Sequence, residues 1–294
     1  MAITIGVDWG SSSFRAYRFD DKGQCIDSLS NGNGIKFVAN GAFETVLVDH
    51  IGHWLHPGDT VLLSGMITSR NGWVESDYLD CPARLDSLMD AGRRVTMGEN
   101  EYLFLPGVSQ RAPADVMRGE ELQLLGAVES GDEYHCVIPG THSKWARVNS
   151  WTLEHFRSIP TGELFDVVLN HSLMGALASA GDFDEAAFCR GVMRGYESSM
   201  PISDLFTARS SVLMAQQNAQ AAYHWLSGLL IGNEIREGLL MLQDTPREIR
   251  LIGSESLCRR YLDAFNILGM NAKQFDEYVT MRAYQILINQ ACSN

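Results

Sequence analysis

The sequence predicts an α/β protein made of two related lobes. Apolar strands alternate with amphipathic helices from the N-terminus onward, a pattern typical of sheets covered by helices. In addition, an apolar strand followed by a turn rich in Gly, Ser and Thr occurs twice, in GVDWGSSSFRAYRF from Gly6 and in CVIPGTHSKWARV from Cys136. We therefore expect an N-terminal lobe over residues 1–125 and a C-terminal lobe over residues 126–294, whose last helix packs back on the first lobe.

In the first half of the chain, ITIGVD, FRAYRFD and QCIDSL predict a hairpin and a third strand, with DDKG as the turn of the hairpin. A helix is expected over residues 41–55, because its apolar residues recur on one face. TVLLSG predicts a buried strand from Thr60, and EELQLLGAV predicts a helix over residues 120–128.

The second half of the chain begins with a predicted strand, turn and strand over residues 134–147. REIRLIG predicts a further short strand. Helices are expected over residues 161–170, 184–198, 201–214, 219–242, 256–268 and 279–292.

Composition excludes several classes of partner. The chain has 294 residues, of which 45% are hydrophobic, and a formal net charge of −13. This charge argues against general affinity for nucleic acid or anionic membrane, because both require a basic surface. An anionic substrate would need basic side chains placed locally.

Targeting and redox signals indicate a cytoplasmic protein. MAITIGVDWG lacks the features of a signal peptide, and the apolar segment 225–242 is interrupted by Gly, Asn, Glu and Arg residues, which argues against a membrane span. The six cysteines are far apart in sequence, so we expect reduced thiols rather than a zinc or redox centre.

The first polar turn is a candidate phosphate site. Asp8 ends the first strand, and Gly10, Ser11 and Ser12 form the turn. Backbone N–H groups and hydroxyls in such a turn suit phosphate oxygens, and Asp8 is placed to hold a hydrated Mg²⁺. The alternative is an ordinary hairpin in which Asp8 caps the turn.

The second polar turn combines backbone donors with a cation, in Gly140, Thr141, His142, Ser143 and Lys144. This mixture suits the γ-phosphate of a nucleotide, although Lys144 is also compatible with a solvated strand position. His142 is a weaker candidate for the catalytic base, because phosphorylation of a hydroxyl usually uses a carboxylate.

Two glutamates precede this turn. Glu120 and Glu121 follow Arg118 and Gly119 at the expected start of a helix. The helix dipole favours acids at this position in any protein, which is the structural explanation. The functional explanation is that one of them acts on the substrate, because the helix leads into the second turn.

A polar loop near residue 70 is suited to a hydroxylated acid. Arginine there would bind a carboxylate, and the amide and hydroxyl groups would bind sugar hydroxyls. The alternative is a solvated hairpin loop. Arg15 and Arg209 are further candidates for the carboxylate, and the candidate residues of the loop are Ser69, Arg70, Asn71, Trp73, Glu75 and Tyr78.

A third turn, in LIGSESL, joins a strand to a helix at Gly253 and Ser254. Adenine and ribose can lie against backbone at such a place. Alone the signal is weak, but with the other two turns it completes a plausible ATP site.

DWGSSSFR, PGTHSKW and LIGSESL, in this order, resemble the two phosphate motifs and the adenosine motif of the superfamily of acetate kinase, sugar kinases, heat-shock proteins and actin. DVMRGEELQLLGA, PGTHSKWA, TGELF, WLSGLLIG and the SRNGW loop more closely resemble the 2-dehydro-3-deoxygalactonokinase family, over nearly the whole chain.

The resemblance implies two actin-like ATPase (ribonuclease H-like) lobes with mixed central sheets and a cleft between them. It implies transfer of phosphate from ATP, with Mg²⁺, to the 6-hydroxyl of 2-dehydro-3-deoxy-D-galactonate in galactonate breakdown. Asp8 with Gly10, Ser11 and Ser12 would form the first phosphate motif. The second motif and the adenosine motif would lie at Gly140–His142 and Gly253–Ser254. By analogy with related polyphosphate phosphatases, Glu120 is the expected base, with Glu121 second.

Three other functions remain open at this stage. The first is an exopolyphosphatase-like hydrolase on the same fold, which the Arg- and Trp-containing loop near residue 70 disfavours. The second is a non-catalytic sugar sensor, but such proteins usually carry a DNA-binding segment, and the net charge is wrong for one. The third is a kinase for another sugar acid or amide. Sugar stereochemistry, the choice of base, the arginine for the carboxylate and a homodimeric state are also left open.

Overall fold

The computed structural model describes residues 3–129, 133–242, 248–275 and 278–293. In chain order, its strands are β1 (Ile3–Trp9), β2 (Phe14–Phe19), β3 (Cys25–Asn31), β4 (Thr60–Ser64), β5 (Tyr78–Asp80), β6 (Ala83–Arg84), β7 (Arg93–Met97), β8 (Asn100–Phe104), β9 (Gly107–Arg111), β10 (Ala114–Met117), β11 (Glu133–Ile138), β12 (Ser143–Asn149), β13 (Thr152–Ile159), β14 (Ile249–Ile252) and β15 (Ala272–Phe275). Its α-helices are α1 (Phe43–Ile51), α2 (Glu120–Gly126), α3 (Thr161–His171), α4 (Glu185–Glu197), α5 (Pro201–Leu205), α6 (Thr207–Leu213), α7 (Ala219–Leu242), α8 (Glu255–Ile267) and α9 (Val279–Ser293).

The chain divides into two compact units. The first unit contains Met1–Glu133, Val148–His155 and Glu277–Asn294, and the second contains Tyr134–Arg147 and Phe156–Asp276. The closing helix α9 therefore belongs with the N-terminal segment, where it packs against α2 and β1.

The first unit is built on a six-stranded sheet of order β3-β2-β1-β4-β8-β7. The β1–β2, β2–β3 and β7–β8 pairs are antiparallel, whereas β1–β4 and β4–β8 are parallel. A smaller sheet has the order β10-β9-β5. The predicted α/β class with mixed sheets is confirmed.

Alternating residues of β1 carry the core of this unit. Ile5, Val7 and Trp9 are fully buried on one face of the sheet, as the twofold period of a strand requires. The predicted helix α1 packs Phe43 and Leu47, four residues apart, into the same cluster. This core holds the carboxyl end of β1, where Asp8 lies.

The second unit contains strands in the order β15-β14-β11-β12-β13. The first residues of β13 belong to the first unit, where they pair with β6. β11, β14 and β15 are parallel neighbours. The long helix α7 lies directly against α4, because glycines at the contact let the two backbones touch. A side chain at Gly195 or Gly232 would overlap the backbone of the other helix.

The structure corrects the prediction in several segments. The single helix expected over residues 201–214 is two helices, α5 and α6, because the Phe206 N–H bonds to Ser203 O and the α-helical ladder is interrupted there. Strands β5–β10, β13 and β15 were not predicted, since their sequences lack a clear alternation of apolar and polar residues and most of them are short. In the described ranges no helix is long and apolar enough to cross a membrane.

Candidate active site

The first unit gathers three acidic side chains near the end of β1. Asp8 is largely buried and pairs with Arg15, with 3.4 Å between the carboxylate Oδ2 and the guanidinium Nη1. Burial raises the pKa of Asp8, Arg15 opposes this shift, and the charge of Glu120 adds to it. Asp8 and Glu120 therefore lie close enough to interact, although 112 positions separate them in the sequence.

Two glycines allow the ends of β1 and β4 to meet the start of α2. Gly65 follows β4 with φ 84°, and Gly119 precedes α2 with φ 106°, a region that favours glycine. A Cβ on Gly65 would lie 3.1 Å from Asp8 Oδ1, and a Cβ on Gly119 would lie 3.3 Å from Gly65 Cα. The ends of β1 and β4 and the start of α2 thus form one corner, which we call the acidic corner.

The two glutamates of the acidic corner differ in environment. Glu121 is 1% exposed, and both its carboxyl oxygens accept a hydrogen bond from Gly119 N, at 2.8 and 2.7 Å. Burial, followed by the charge of Glu120, raises the pKa of Glu121 to about 8. Glu120 is partly exposed and accepts from Arg118 N at 2.9 Å. Of the two glutamates, Glu120 is therefore the one accessible to a ligand.

The first polar turn has open donors. Gly10 N bonds across the turn to Ser13 O at 2.9 Å. Ser11 and Ser12 are exposed, and within the described residues neither their amides nor their hydroxyls have an acceptor. Two amides and two hydroxyls are therefore available to an anion beside Asp8.

The loop near residue 70 is held by Arg118, a residue to which the sequence analysis assigned no role. Its guanidinium donates to the backbone carbonyls of Thr68 and Ser76 and to both of their hydroxyls, at 2.6–3.0 Å. It also lies over the ring of Tyr78, 4.3 Å from the centroid. Because Arg118 adjoins Gly119 and Glu120, it ties this loop to the acidic corner.

The predicted substrate residues of the loop fall into two groups. Ser69 donates to Met66 O at 2.7 Å, and Trp73 packs against aromatic side chains of the core, so both side chains support the loop. Tyr78 is occupied by Arg118. Arg70 and Asn71 are exposed and make no side-chain hydrogen bond or ion pair within the described residues.

The other two arginines considered for a carboxylate are already engaged. Arg15 pairs with Asp8, and Arg209, in the second unit, donates to Leu173 O at 2.9 Å. Of these three arginines, Arg70 is therefore the one whose guanidinium has no protein partner among the described residues.

The second polar turn follows β11 in the second unit. Thr141 and His142 are exposed, and within the described residues their amides have no acceptor. The turn adjoins the N-terminus of α3, where Glu163 N donates to Thr141 O at 3.0 Å and the Glu163 carboxylate contacts His142 Nε2 at 2.6 Å. A side chain at Gly162 would overlap Gly140, so only glycine permits this approach. Turn and helix together present several N–H groups to an anion.

The structure corrects the expected placement of Ser143 and Lys144. Both side chains are buried on β12 rather than exposed in the turn. Lys144 Nζ donates to Ser158 Oγ at 2.7 Å, so it is neither a turn cation nor a solvated strand residue. Consecutive residues of β12 point to opposite faces of the sheet, and both faces are covered at the start of this strand, so both side chains are buried. Composition does not distinguish an exposed turn from the first residues of such a strand.

Beneath this turn lies a buried carboxylate that the sequence analysis missed. Glu234 on α7 accepts from Trp145 Nε1 at 2.9 Å and from Tyr261 Oη at 2.6 Å. Its carboxylate also forms side-chain hydrogen bonds with Ser143 and Thr161, the residues that end the turn and begin α3. Burial raises the pKa of Glu234, and these hydrogen bonds oppose the shift. The sequence around Glu234 gave no signal of such partners, because they lie far from it along the chain.

The third turn lies at the same edge of the second sheet. β11 and β14 are parallel neighbours, so the turns that follow them are adjacent. A Cβ on Gly253 would lie 3.6 Å from Pro139 O, which precedes Gly140. Ser254 is exposed and its side chain makes no capping hydrogen bond to α8. The adenosine and second phosphate motifs expected from the sequence are thus neighbours.

Comparisons with known proteins identify the family of this chain. The sequence profile of the 2-keto-3-deoxy-galactonokinase family matches residues 8–285. This chain belongs to that family. The expected enzyme class, a sugar kinase, is thereby confirmed.

Individual relatives match over most of their length. A probable 2-dehydro-3-deoxygalactonokinase of Rhizobium meliloti is 35% identical, over 94% of this chain and 93% of that protein. The 2-dehydro-3-deoxygalactonokinase of Escherichia coli is 33% identical, over 90% of each. The crystal structure of a putative 2-dehydro-3-deoxygalactonokinase from Sinorhizobium meliloti has a TM-score of 0.91 at 32% identity, over 98% of this chain and 99% of that one.

A more distant solved structure shows the fold alone. Component A of the (R)-2-hydroxyglutaryl-CoA dehydratase of Acidaminococcus fermentans has a TM-score of 0.52 at 11% identity, over the whole of both chains. The actin-like ATPase fold expected from the sequence is confirmed by neighbours of this kind.

Proposed function

We propose that this protein transfers the γ-phosphoryl group of ATP to the 6-hydroxyl of 2-dehydro-3-deoxy-D-galactonate, forming the 6-phosphate and ADP as a step of D-galactonate breakdown. The acidic corner is the observation that carries the proposal. It places a partly exposed carboxylate, Glu120, beside Asp8 and next to a loop suited to a sugar acid. The names of the relatives supply the substrate.

Glu120 is the proposed base. It orients the 6-hydroxyl and accepts its proton as the oxygen attacks the γ-phosphorus, while ADP leaves with the electron pair of the broken P–O bond. Glu121 does not serve as well, because it is buried and its raised pKa keeps it protonated near neutral pH. It instead holds the start of α2 through Gly119.

Asp8 is the proposed anchor for Mg²⁺. The Asp8 carboxylate fits this ion, which usually keeps several waters and binds one or two carboxylates together with substrate phosphates. The open donors of the adjoining turn are available to those phosphates. When bound, Mg²⁺ would neutralise charge on the phosphates. Arg15 keeps the Asp8 carboxylate oriented and opposes the effect of burial on its pKa.

Nucleotide binding is assigned to the open amides of both polar turns. Ser11 and Ser12 offer their amides in the first unit, where the hydrogen bond from Gly10 N to Ser13 O closes the turn, and Gly140, Thr141 and His142 serve in the second with the N-terminus of α3. Gly253 and Ser254, adjacent to the second turn, are proposed to contact adenosine. Ser143 and Lys144 support the turn from the interior and do not contact the nucleotide.

Arg70 is proposed to bind the carboxylate of the sugar acid, with Asn71 beside it for a hydroxyl. Arg70 is chosen because its guanidinium is unbonded within the described residues, whereas those of Arg15 and Arg209 already have partners in the structure. Arginine suits a carboxylate because its planar guanidinium can donate two parallel hydrogen bonds. Ser69, Trp73 and Tyr78 shape the loop around these two residues.

The deciding experiment follows ADP formation by purified protein with ATP, Mg²⁺ and a panel of 2-keto-3-deoxy sugar acids. Turnover that depends on 2-dehydro-3-deoxygalactonate, with a product phosphorylated at the 6-position by ³¹P NMR, is the expected result. ATP loss without sugar would indicate a hydrolase instead. Turnover only with another acid would retain the kinase chemistry and reject the substrate.

A further inference from the structure

A short segment after β3 packs directly on the first polar turn. Trp9 Nε1 donates to Asn33 O at 2.8 Å. A side chain at Gly34 would overlap the backbone of Ser11 and Ser12, so glycine is required for this contact. Two antiparallel pairings, β1 with β2 and β2 with β3, bring the end of β3 to the edge of the sheet that carries the turn.

Two hydrogen bonds then fix the following residues against the turn. Ile35 N donates to Gly10 O at 3.0 Å, and Lys36 N donates to Ser11 O at 3.3 Å. Both bonds engage carbonyl oxygens of the turn, so they leave the amide groups of Ser11 and Ser12 unbonded in the described part of the chain. The backbone of Lys36 is therefore held next to the residues whose amides are open.

The side chain of Lys36 has no acid to neutralise it. It is exposed, its Nζ lies 4.9 Å from the ring centroid of Phe37, and in the part of the chain described here no carboxylate lies within 4.0 Å of it. Acidic residues outnumber lysine and arginine 36 to 23 in this chain, so a lysine that has no acidic partner among the described residues and whose backbone adjoins open amides is a suitable group for binding an anion.

We propose that Lys36 and the Ser11–Ser12 turn form one oxyanion-binding site, in which the ammonium and the open amides bind the same phosphate or carboxylate group of a reactant. An ammonium on a flexible four-carbon stem can turn its donors toward such a group without a fixed approach angle. The inference rests on the proposed function only for the identity of the reactants.

The test compares Lys36→Gln and Lys36→Arg with wild type. KM is measured separately for ATP and for the sugar acid, and binding of each is measured by calorimetry, with magnesium adenylyl imidodiphosphate standing in for ATP. In K36Q we expect one of the two affinities to fall about tenfold, since a charge-assisted hydrogen bond is lost. A change for the nucleotide assigns the site to phosphate, and a change for the sugar acid assigns it to the carboxylate. K36R should keep most of the affinity.

Lys22→Gln is the matched control. Lys22 is an exposed lysine of the β2–β3 turn in the same unit, so this variant removes the same charge elsewhere. Unchanged affinities for both ligands in K36Q, or an equal loss in K22Q, would overturn the inference. If wild type binds nucleotide but turns over no sugar acid, the proposed function fails, and the calorimetry still decides the role of Lys36.

Discussion

Glu120 and Glu121 are neighbours in the sequence, yet their side chains lie in different environments. Glu120 is partly exposed near Asp8, whereas Glu121 is almost completely buried against Gly119 N. Adjacent residues at a helix start point in directions about 100° apart, so one can face a ligand while the other faces the interior. The difference gives each carboxylate a separate experimental signature.

Glu120→Gln should lower kcat about 10²–10⁴-fold, because the amide cannot accept the proton of the hydroxyl. Glu121→Gln should cost much less at pH 7, since a neutral amide resembles the protonated carboxyl. Steady-state kinetics with the sugar acid measure both. Near-normal turnover in E120Q would show that another group is the base, and a larger loss in E121Q would reverse the assignment.

Glu121 should also make folding stability depend on pH. The folded protein holds its proton up to about pH 8, whereas the unfolded chain releases it near pH 4.5. The unfolded state therefore binds fewer protons in this window, and the free energy of unfolding contributed by this group falls as pH rises from 4.5 to 8.

Urea unfolding at pH 5 and pH 8 measures this effect. Relative to wild type, E121Q should gain stability at the higher pH, by about 2–4 kcal/mol. Glu99→Gln, which removes an exposed carboxylate in the same unit, should follow wild type. Parallel pH dependence in wild type and E121Q would contradict the prediction.

At the scale of elements, Glu234 links the second polar turn to three helices. It lies on α7, accepts from Tyr261 on α8, and bonds to Thr161 at the start of α3 and to Ser143 after the turn. The close contact of α7 with α4 sets the position from which this carboxylate acts. Glu234 thus fixes the position of the turn, although it is buried and does not contact a ligand itself.

Glu234→Gln should weaken ATP binding as well as stability. The amide nitrogen would face a donor, leaving a buried group unsatisfied at a cost of about 1–3 kcal/mol. Thermal unfolding and the KM for ATP measure the two effects, and the KM for the sugar acid should not change. Glu237→Gln is the matched control, because Glu237 is exposed on the same helix. A lower Tm with an unchanged KM for ATP would limit Glu234 to a structural role.

At the scale of the molecule, the two ends of the chain complete one unit. Tyr284 of α9 is fully buried, its ring lies against Gly6, and its hydroxyl is 2.7 Å from Ser64 Oγ. The whole second unit lies between these segments in the sequence. The first unit is therefore finished only when the last residues of the chain are in place.

Removing residues 279–294 should destabilise the first unit selectively. Without α9, the apolar side chains of β1 and α2 that it covers become exposed. Hydrogen exchange should then show loss of amide protection in β1 and α2, with protection retained in α8. Removing only residues 293–294 serves as the control. Equal loss of protection in α8 would show that the units do not fold separately.

Local patterns in the sequence determined much of this protein. An apolar run predicted β1, alternation predicted β2, and helical periodicity predicted α1, because each of these patterns depends only on neighbours along the chain. The MRGEE, PGTHSKW and TGELF motifs were sufficient for the family. The short strands β5–β10 and the break between α5 and α6 were missed, because their local signals are weak and long-range pairing decides them.

Only the tertiary structure decided which candidate side chains are available to ligands. Ser143 and Lys144 looked like turn residues but are buried, and Arg15 and Arg209 were equal candidates to Arg70 until their partners were known. The supporting residues Arg118, Gly162 and Glu234 and the cation Lys36 act through contacts with distant segments. Residue type determines what a side chain can bind, whereas burial and existing partners, set by the packing of the whole unit, determine whether it is free to do so.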